Sequence, residues 1–296
     1  MYWQVGPIPV KDGIGKETVL VYSTDIQSDK KMYTDANGRQ LIERIRRIDS
    51  LDAFETSNYY PITSRVELRS NEDVFTVLPD RSEGAASLVD GQLELILHRR
   101  LLHDDGYGVG EPLNETETFN GEETGLVVVG QHRVLTGHSL DQARSEMLEH
   151  DLPVQLSFLS TQLTLENWVQ LSLQEYSGIK KELPANVQIL SLSVRNSSTV
   201  LLRLYNMMAQ DENSEPAYVD LQNLFTEFEI VTMEEENLTG ATPLSFSKQH
   251  AVHWNINNDN NNNKYDESGF RSVEDISPVE LTPLQIRTFI LNVVWN

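Results

Sequence analysis

Short runs in which apolar and polar residues alternate recur along this chain and predict strands. Leu93, Leu95 and Leu97 occupy every second position of one run, and the dipeptide Asp90-Gly91 comes just before them. Alternation with a period of two buries one face of a strand, and Asp-Gly favours a tight hairpin turn. Comparable runs lie at 66–68, 74–78, 153–158, 187–194, 199–204, 219–225, 228–233, 279–281 and 286–295. The pattern predicts an all-β protein.

Three segments add detail to this pattern. Residues 18–26 carry apolar side chains at successive positions, which predicts a strand buried on both faces. Residues 126–135 predict a hairpin interrupted at Gly130. Ser139-Leu-Asp-Gln142 has the form of a capping box and opens a helical pattern that continues to Met147, so we expect one short helix.

The chain is long enough for two medium domains. Residues 178–184 are rich in Gly, Lys, Glu and Pro and are typical of a linker. This composition predicts domains at 1–178 and 179–296. In the second domain we expect 279–281 and 286–295 to form a closing strand pair, and the Asn-rich stretch 255–264 to be a mobile loop.

The run from His98 to Leu113 has the most distinctive chemistry in the chain. Arg99 and Arg100 are followed by Asp104 and Asp105, so we expect an ion-paired corner in which the aspartates also cap the loop. Three glycines allow positive φ and close backbone approach: Gly106, Gly108 and Gly110. Adjacent aspartates in an extended segment point in opposite directions, so they do not form the facing carboxylate pair of a glycoside hydrolase. We predict no catalytic residue in this chain.

This run, HRRLLHDDGYGVGEPLNE, resembles the segment HRRLLxDDxRGVGEPLNE of the lysosomal-type α-mannosidases of glycoside hydrolase family 38. The resemblance continues, in the same order, at 5–10, 33–39, 58–61, 80–84 and 281–289. It covers nearly the whole chain, but it concerns only the C-terminal β-rich part of that family. In the family, a zinc-binding catalytic domain with the nucleophile and the acid lies upstream.

The resemblance implies a fold and a function. The front domain should be a supersandwich-like, mutarotase-like β-sandwich, followed by a smaller terminal β-sandwich, and 32–48 should be extended although its apolar spacing also fits a helix. The chain should be the C-terminal part of an acid α-mannosidase, which hydrolyses terminal α-D-mannose from N-glycan oligosaccharides. It should pack against the upstream catalytic domain and partly wall its active site. The alternative is a stand-alone carbohydrate-binding or interaction protein.

The resemblance also implies which residues and groups take part. Arg99, Arg100, Asp104, Asp105 and Tyr107 would form a substrate-proximal loop. Tyr107 stands where the family has an arginine that approaches the mannose pocket, so the fixed donors of a guanidinium are replaced by a phenol. Zinc would belong to the upstream domain, this chain would hold no cofactor, and the isolated chain should be inactive. We also expect an exposed apolar surface near residues 58–61 or this loop, where the upstream domain would pack.

Composition excludes some classes of function. A formal net charge of −22 argues against nucleic-acid binding, because few cations are present to neutralise phosphates. There is no cysteine, and no apolar run approaches the roughly 20 residues that cross a bilayer. The seven histidines lack metal-ligand spacing; the closest pair, His250 and His253, would point to opposite faces of a strand, so no metal site is predicted.

Three glycosylation sequons start at Asn114, Asn196 and Asn237, each in a predicted turn. They favour a lysosomal or secreted protein, as the resemblance implies, although Met1-Tyr-Trp-Gln has no signal-peptide character and a signal would lie upstream. Tyr59 and Tyr60 offer rings that could stack on sugar, and at least one of them is expected to be buried in the core instead.

Overall fold

Antiparallel strands dominate the computed structural model, which describes residues 1–48, 54–71, 73–252, 271–272 and 277–296. The chain forms two compact units, Met1–Gln155 and Leu156–Asn296. The predicted domain boundary after residue 178 falls inside the second unit. The Asn-rich stretch at 255–264 and His253 lie outside the described residues.

The first unit is built from two larger sheets and a hairpin. Its strands are β1 (Tyr2–Val5), β2 (Lys16–Ser23), β3 (Lys31–Ala36), β4 (Gln40–Ile45), β5 (Tyr60–Ile62), β6 (Val66–Arg69), β7 (Val74–Pro79), β8 (Glu83–Ala86), β9 (Gln92–Arg100), β10 (Thr116–Phe119), β11 (Glu122–Gly125) and β12 (Val128–Thr136). One sheet has the order β1-β12-β7-β6-β3-β4, the other has the order β2-β9-β8-β5, and β10 pairs with β11.

The core of the first unit lies between these two sheets. Val66, Leu68 and Val77 come from the larger sheet, and Leu93 and Leu95 come from the smaller one; all five are fully buried. Leu93 and Leu95 of β9 therefore face the core, as their period of two predicts, whereas Leu97 is only half-buried. This arrangement confirms a β-sandwich.

The second unit repeats this design on a smaller scale. Its strands are β13 (Val187–Asn196), β14 (Thr199–Asn206), β15 (Ala217–Val219), β16 (Phe228–Glu236), β17 (Arg271–Ser272), β18 (Val279–Leu281) and β19 (Ile286–Trp295). They form a sheet of order β13-β14-β19-β16-β17 and a pair β15-β18. Phe289 and Leu291 of β19 are fully buried, as predicted, and share one core with Val279 and Leu281.

The described residues contain three α-helices, not one. The predicted helix is α1 (Leu140–Asp151), which begins at the N-cap Ser139 and buries Ala143 and Met147. Two shorter helices, α2 (Leu165–Leu171) and α3 (Leu244–Gln249), were missed. Helices of two turns or fewer are too short to show a clear period in the sequence.

Some predictions about the strands were wrong. Residues 153–158 form no strand, and the predicted strand at 219–225 is absent beyond Val219, where β15 ends. Strand β2 alternates between exposed and half-buried residues, so only one of its faces is covered. Residues 128–136 form the single strand β12 and not a hairpin, because β12 pairs with β1 and β7 on its two edges. The closing strands β18 and β19 do not pair with each other: β18 pairs with β15, and β19 lies between β14 and β16.

Candidate functional site

The loop that follows β9, residues 101–113, is closed at its base by two hydrogen bonds. Leu101 N–H donates to the Leu113 carbonyl oxygen at 2.8 Å, and Arg100 Nε donates to Asn114 Oδ1 at 2.8 Å. A loop whose ends are fixed at one point keeps its position relative to the strand that carries it. Strand β9 therefore presents this loop, which we call the β9 loop, from a fixed base.

Arg100 is a structural residue of the first unit. Besides the bond to Asn114, its Nη1 donates to the Ile8 carbonyl oxygen at 2.9 Å. The guanidinium fills the space that a Cβ atom on Gly125 would need, so a side chain at position 125 would displace Arg100. Arg100 thus ties the base of the β9 loop to two other segments.

Arg99 makes an ion pair, but not with the aspartates of the loop. Its Nη2 atom lies 2.6 Å from Glu17 Oε1, and the two side chains are 44% and 34% exposed. The pair forms because Glu17 lies directly opposite Arg99 in the register of β2 and β9. The predicted ion-paired corner of Arg99 or Arg100 with Asp104 or Asp105 is therefore wrong.

The two aspartates shape the loop through its own backbone. Asp104 Oδ2 accepts the Gly106 N–H at 2.9 Å, and Asp105 Oδ1 accepts the Tyr107 N–H at 2.9 Å. These are the short-range bonds by which aspartate stabilises turns, so the capping role is confirmed. Gly106 and Gly110 both have φ of +78°, whereas Gly108 lies outside the positive region. Apart from the chain neighbours, no heavy atom of the described residues lies within 4 Å of a Cβ built at any of the three loop glycines, so none of them closely approaches another described segment of this chain.

The tip of the β9 loop projects into solvent. Tyr107 is 93% exposed and Val109 is 88% exposed. A cavity of about 360 Å³ opens beside them. It is lined by the loop and by Arg99, and its polar lining residues include His103 and Glu111. Cation, carboxylates, imidazole and phenol can donate and accept hydrogen bonds with sugar hydroxyls. The site is suited to polar contact with a ligand or a neighbouring domain.

The two neighbouring tyrosines have different environments. Tyr60 packs against the core of the first unit, and the Arg44 guanidinium carbon lies 4.4 Å from the centre of its ring. Tyr59 lies next to Gly84 and donates a hydrogen bond to the Glu94 carboxylate. Burial, and secondarily Glu94, raises the pKa of the Tyr59 phenol. Tyr60 is therefore the ring that belongs to the core, as expected for one of the two.

Comparison with known proteins assigns both halves of the chain to one family. The glycosyl hydrolases family 38 C-terminal domain matches residues 2–107, a range that includes Arg99, Asp104 and Tyr107. The family 38 C-terminal beta sandwich domain matches residues 186–289. The chain belongs to the C-terminal region of glycoside hydrolase family 38.

Similar proteins include animal and plant members of this family. Lysosomal alpha-mannosidase of Bos taurus is 36% identical over 99% of the chain and 29% of its own length. Alpha-mannosidase of Canavalia ensiformis is 33% identical over 97% of the chain and 30% of its own length. The crystal structure of an alpha-mannosidase from Enterococcus faecalis aligns with 93% of the chain and with 25% of its own length, with a TM-score of 0.52. Because the two sequences are only 11% identical, this similarity shows the fold alone. The family 38 chain spans less than a third of the length of these curated relatives.

Tyr22, His132 and Glu83 form a hydrogen-bonded relay in this family 38 chain, which the sequence did not predict. Tyr22 Oη lies 2.9 Å from His132 Nδ1, and His132 Nε2 lies 3.1 Å from Glu83 Oε1. The Glu83 carboxylate accepts a hydrogen bond from His132 Nε2–H, which leaves Nδ1 to accept the hydrogen bond from the Tyr22 hydroxyl. Burial, and secondarily the Glu83 charge, raises the pKa of Tyr22 to about 12. The relay joins β2 and β8 of the smaller sheet to β12 of the larger one, from positions too distant to form a motif.

The three sequon asparagines differ in how their carboxamides are used. Asn114 Oδ1 accepts from Arg100, and Asn196 Oδ1 accepts the Ser198 N–H at 2.9 Å in the turn between β13 and β14. Asn237 is more constrained, because its Nδ2 donates to Thr242 Oγ1 at 2.8 Å and its Oδ1 accepts from the Thr239 hydroxyl at 2.7 Å. Asn114 and Asn196 are exposed, and Asn237 is half-buried.

The described part of the chain contains neither a metal-ligand cluster nor a membrane-spanning helix. Within those residues, no three His, Cys, Asp or Glu side chains come together in a way that could hold a metal ion. None of the described helices has the length and apolar character needed to cross a membrane.

Proposed function

We propose that this family 38 chain serves as the C-terminal part of an acid α-mannosidase that removes terminal α-D-mannose from N-glycan oligosaccharides. It packs against an upstream catalytic domain, and the β9 loop forms part of the wall of the active site. The proposal rests above all on Tyr107, which is 93% exposed at the tip of a loop with a fixed base. The relatives' additional length, more than two thirds of each protein, supplies the space for that domain.

The role of the loop follows from its chemistry. Glycoside hydrolysis needs two facing carboxyl groups, and this chain contributes shape and hydrogen bonds instead of that pair. Asp104 and Asp105 use one oxygen each to fix the loop backbone and keep the second oxygen available for a hydroxyl donor. Tyr107 adds an aromatic face for a pyranose ring and one hydroxyl group.

Two further elements belong to this proposal. Zinc would be bound by the upstream domain, since the described residues of this chain offer no group of three ligands; no step assigned to the chain uses the metal. The protein would act in a lysosomal or secreted setting, which is consistent with exposed sequons at Asn114 and Asn196.

Co-expression provides the direct test. The chain is produced alone and together with the part of the Bos taurus enzyme that it does not match, and hydrolysis of a chromogenic α-mannoside is measured. We expect activity only from the pair. Tyr107→Ala should raise KM at least several-fold while leaving the thermal midpoint of the chain unchanged, because the ring makes few contacts in the fold. Release of mannose by the chain alone, or no activity from the pair, would contradict the proposal.

A second candidate is a chain that binds carbohydrate without taking part in catalysis. The cavity of about 360 Å³ beside Tyr107 favours it, because a monosaccharide fits a space of this size. Calorimetric titration of the isolated chain with methyl α-mannoside separates the two candidates. Binding that Tyr107→Ala abolishes would support the second candidate, and absence of heat would argue against it.

A further inference from the structure

The most apolar exposed surface of the described chain lies at the start of the second unit. Nine large hydrophobic side chains between residues 156 and 176 are exposed: Leu156, Phe158, Leu159, Leu163, Leu165, Val169, Leu171, Leu173 and Tyr176. Exposure reaches 94% at Phe158 and 79% at Leu165. Exposed hydrophobics scattered singly are ordinary, but nine within 21 residues, four of which line one common cavity, are typical of an interaction site. We call residues 156–176 the apolar segment.

The apolar segment is also nearly free of charge. Its only ionisable carboxylates are Glu166 and Glu175, and it has no Lys or Arg, whereas 23% of the whole chain is charged. Depletion of charge together with aromatic side chains distinguishes the core of a protein interface from the rest of a surface. The segment therefore fits an uncharged, apolar protein surface.

The helix inside the segment has little packing within the described chain, and only Trp168 of its residues is half-buried. Helix α2 has seven residues and buries none of them, although Thr164 Oγ1 accepts the Asn167 N–H at its N-terminus. So short a helix gains too little from its own hydrogen bonds to be stable in water and depends on packing. A cavity of about 780 Å³ lies beside α2, lined by apolar side chains that include Phe158 and Trp168. An inserted side chain would supply the missing packing.

We propose that the apolar segment is the surface through which this chain binds the catalytic portion of an α-mannosidase, with Phe158 and Leu165 as anchors. This inference rests on the proposed function and adds the location of the contact. The relatives carry more than two thirds of their length outside the matched region, so a partner of sufficient size is part of the same polypeptide in those proteins. The segment's 21 residues correspond to one side of a standard interface, which has roughly 20 to 30 residues.

The test compares serine substitutions of exposed hydrophobic residues inside and outside the apolar segment. The chain is co-expressed with an affinity-tagged form of the Bos taurus enzyme that lacks the matched region, and recovery of the chain with the tag is quantified. The variant is Phe158→Ser combined with Leu165→Ser. The control is Leu238→Ser, at a residue that is 60% exposed outside the segment, and this change keeps the sequon at Asn237 intact. Thermal melts verify that each variant is folded.

We expect wild type and Leu238→Ser to be recovered equally. Recovery of the double variant should fall at least tenfold, as is usual when interface anchors are removed. Hydrogen exchange of residues 156–176 should slow in the wild-type complex. If the double variant is recovered as well as wild type and the complex is active, the docking surface is wrong and the proposed function stands. If wild type is not recovered, both proposals fail. A wild-type chain that dimerises alone and becomes monomeric in the double variant would show that a second copy occupies the surface.

Discussion

Arg99 and Glu17 are paired across neighbouring strands, with Nη2 of the first 2.6 Å from Oε1 of the second. Both side chains are partly exposed, so solvent screens their attraction. We expect a double-mutant cycle with Arg99→Ala and Glu17→Ala to give a coupling free energy of about 1 kcal/mol or less. Urea denaturation of the four proteins measures it. Asp104→Ala serves as the control and should show no coupling to Arg99→Ala. A measurable coupling free energy between these two changes would support the predicted ion pair of Arg99 with Asp104 instead.

Arg100 should contribute more to stability than Arg99. Its bonds to Asn114 and to the Ile8 carbonyl join three segments, and its guanidinium packs against Gly125. Hydrogen bonds from a charged donor contribute about 1.5–3 kcal/mol, so Arg100→Ala should lower the free energy of unfolding by about 2–3 kcal/mol. The same denaturation series, with Arg99→Ala as the matched control, tests this order. Equal losses in the two variants would contradict it.

The Tyr22 hydroxyl should make the protein sensitive to alkali. Its pKa is about 12 in the folded chain, against an ordinary value of 10.0, mainly because the ring is partly buried. The stabilising contribution is fully present below pH 10 and is lost as pH rises through 12, because the unfolded chain releases its proton first. Tyr22→Phe should therefore flatten the fall in stability above pH 10.

The same variant also has a cost at neutral pH. It leaves His132 Nδ1 without its donor, which should lower the free energy of unfolding by about 1–3 kcal/mol. Melts at pH 8, 10 and 11 follow both effects, and Tyr218→Phe, at an exposed ring, is the control. A Tyr22→Phe protein with an unchanged alkaline slope would show that Tyr22 does not carry the effect.

Glu236 should give stability that increases with acidity. Burial, and secondarily the neighbouring Glu234 charge, raises the pKa of Glu236 above 4.5. The folded chain then binds a proton more readily than the unfolded chain, so this contribution is complete below pH 4.5 and is lost as pH rises through the folded pKa. Glu236→Gln should be more stable than wild type at pH 7, and the difference should shrink by pH 4.5. Glu229→Gln, an exposed glutamate on β16, should show neither effect.

The sequence predicted those features that depend on neighbours along the chain. Alternation located the strands of the hairpins β6-β7 and β13-β14. The sequence pattern of a capping box located the start of α1, although the Ser139 side chain makes no capping hydrogen bond. The buried face of β19 followed from its period of two. Even the capping bonds of Asp104 and Asp105 are local, since each reaches a backbone N–H two residues on.

The features that could not be predicted depend on distant partners. Arg99 is opposite Glu17 because β2 and β9 share a sheet, and nothing near Arg99 in the sequence indicates that register. The relay of Tyr22, Glu83 and His132 joins three strands for the same reason. The apolar segment at 156–176 shows the reverse case: its composition is that of a core, but no core of the described chain covers it.

The closed base of the β9 loop has a consequence for how such proteins can diversify. The bonds from Leu101 to Leu113 and from Arg100 to Asn114 belong to the stem, so the residues between them can change in number without disturbing β9. Doubling the length of a flexible loop costs only about 0.6 kcal/mol in closure entropy. Insertion, deletion or replacement of residues at the loop tip can therefore vary this surface while the scaffold that carries it stays unchanged.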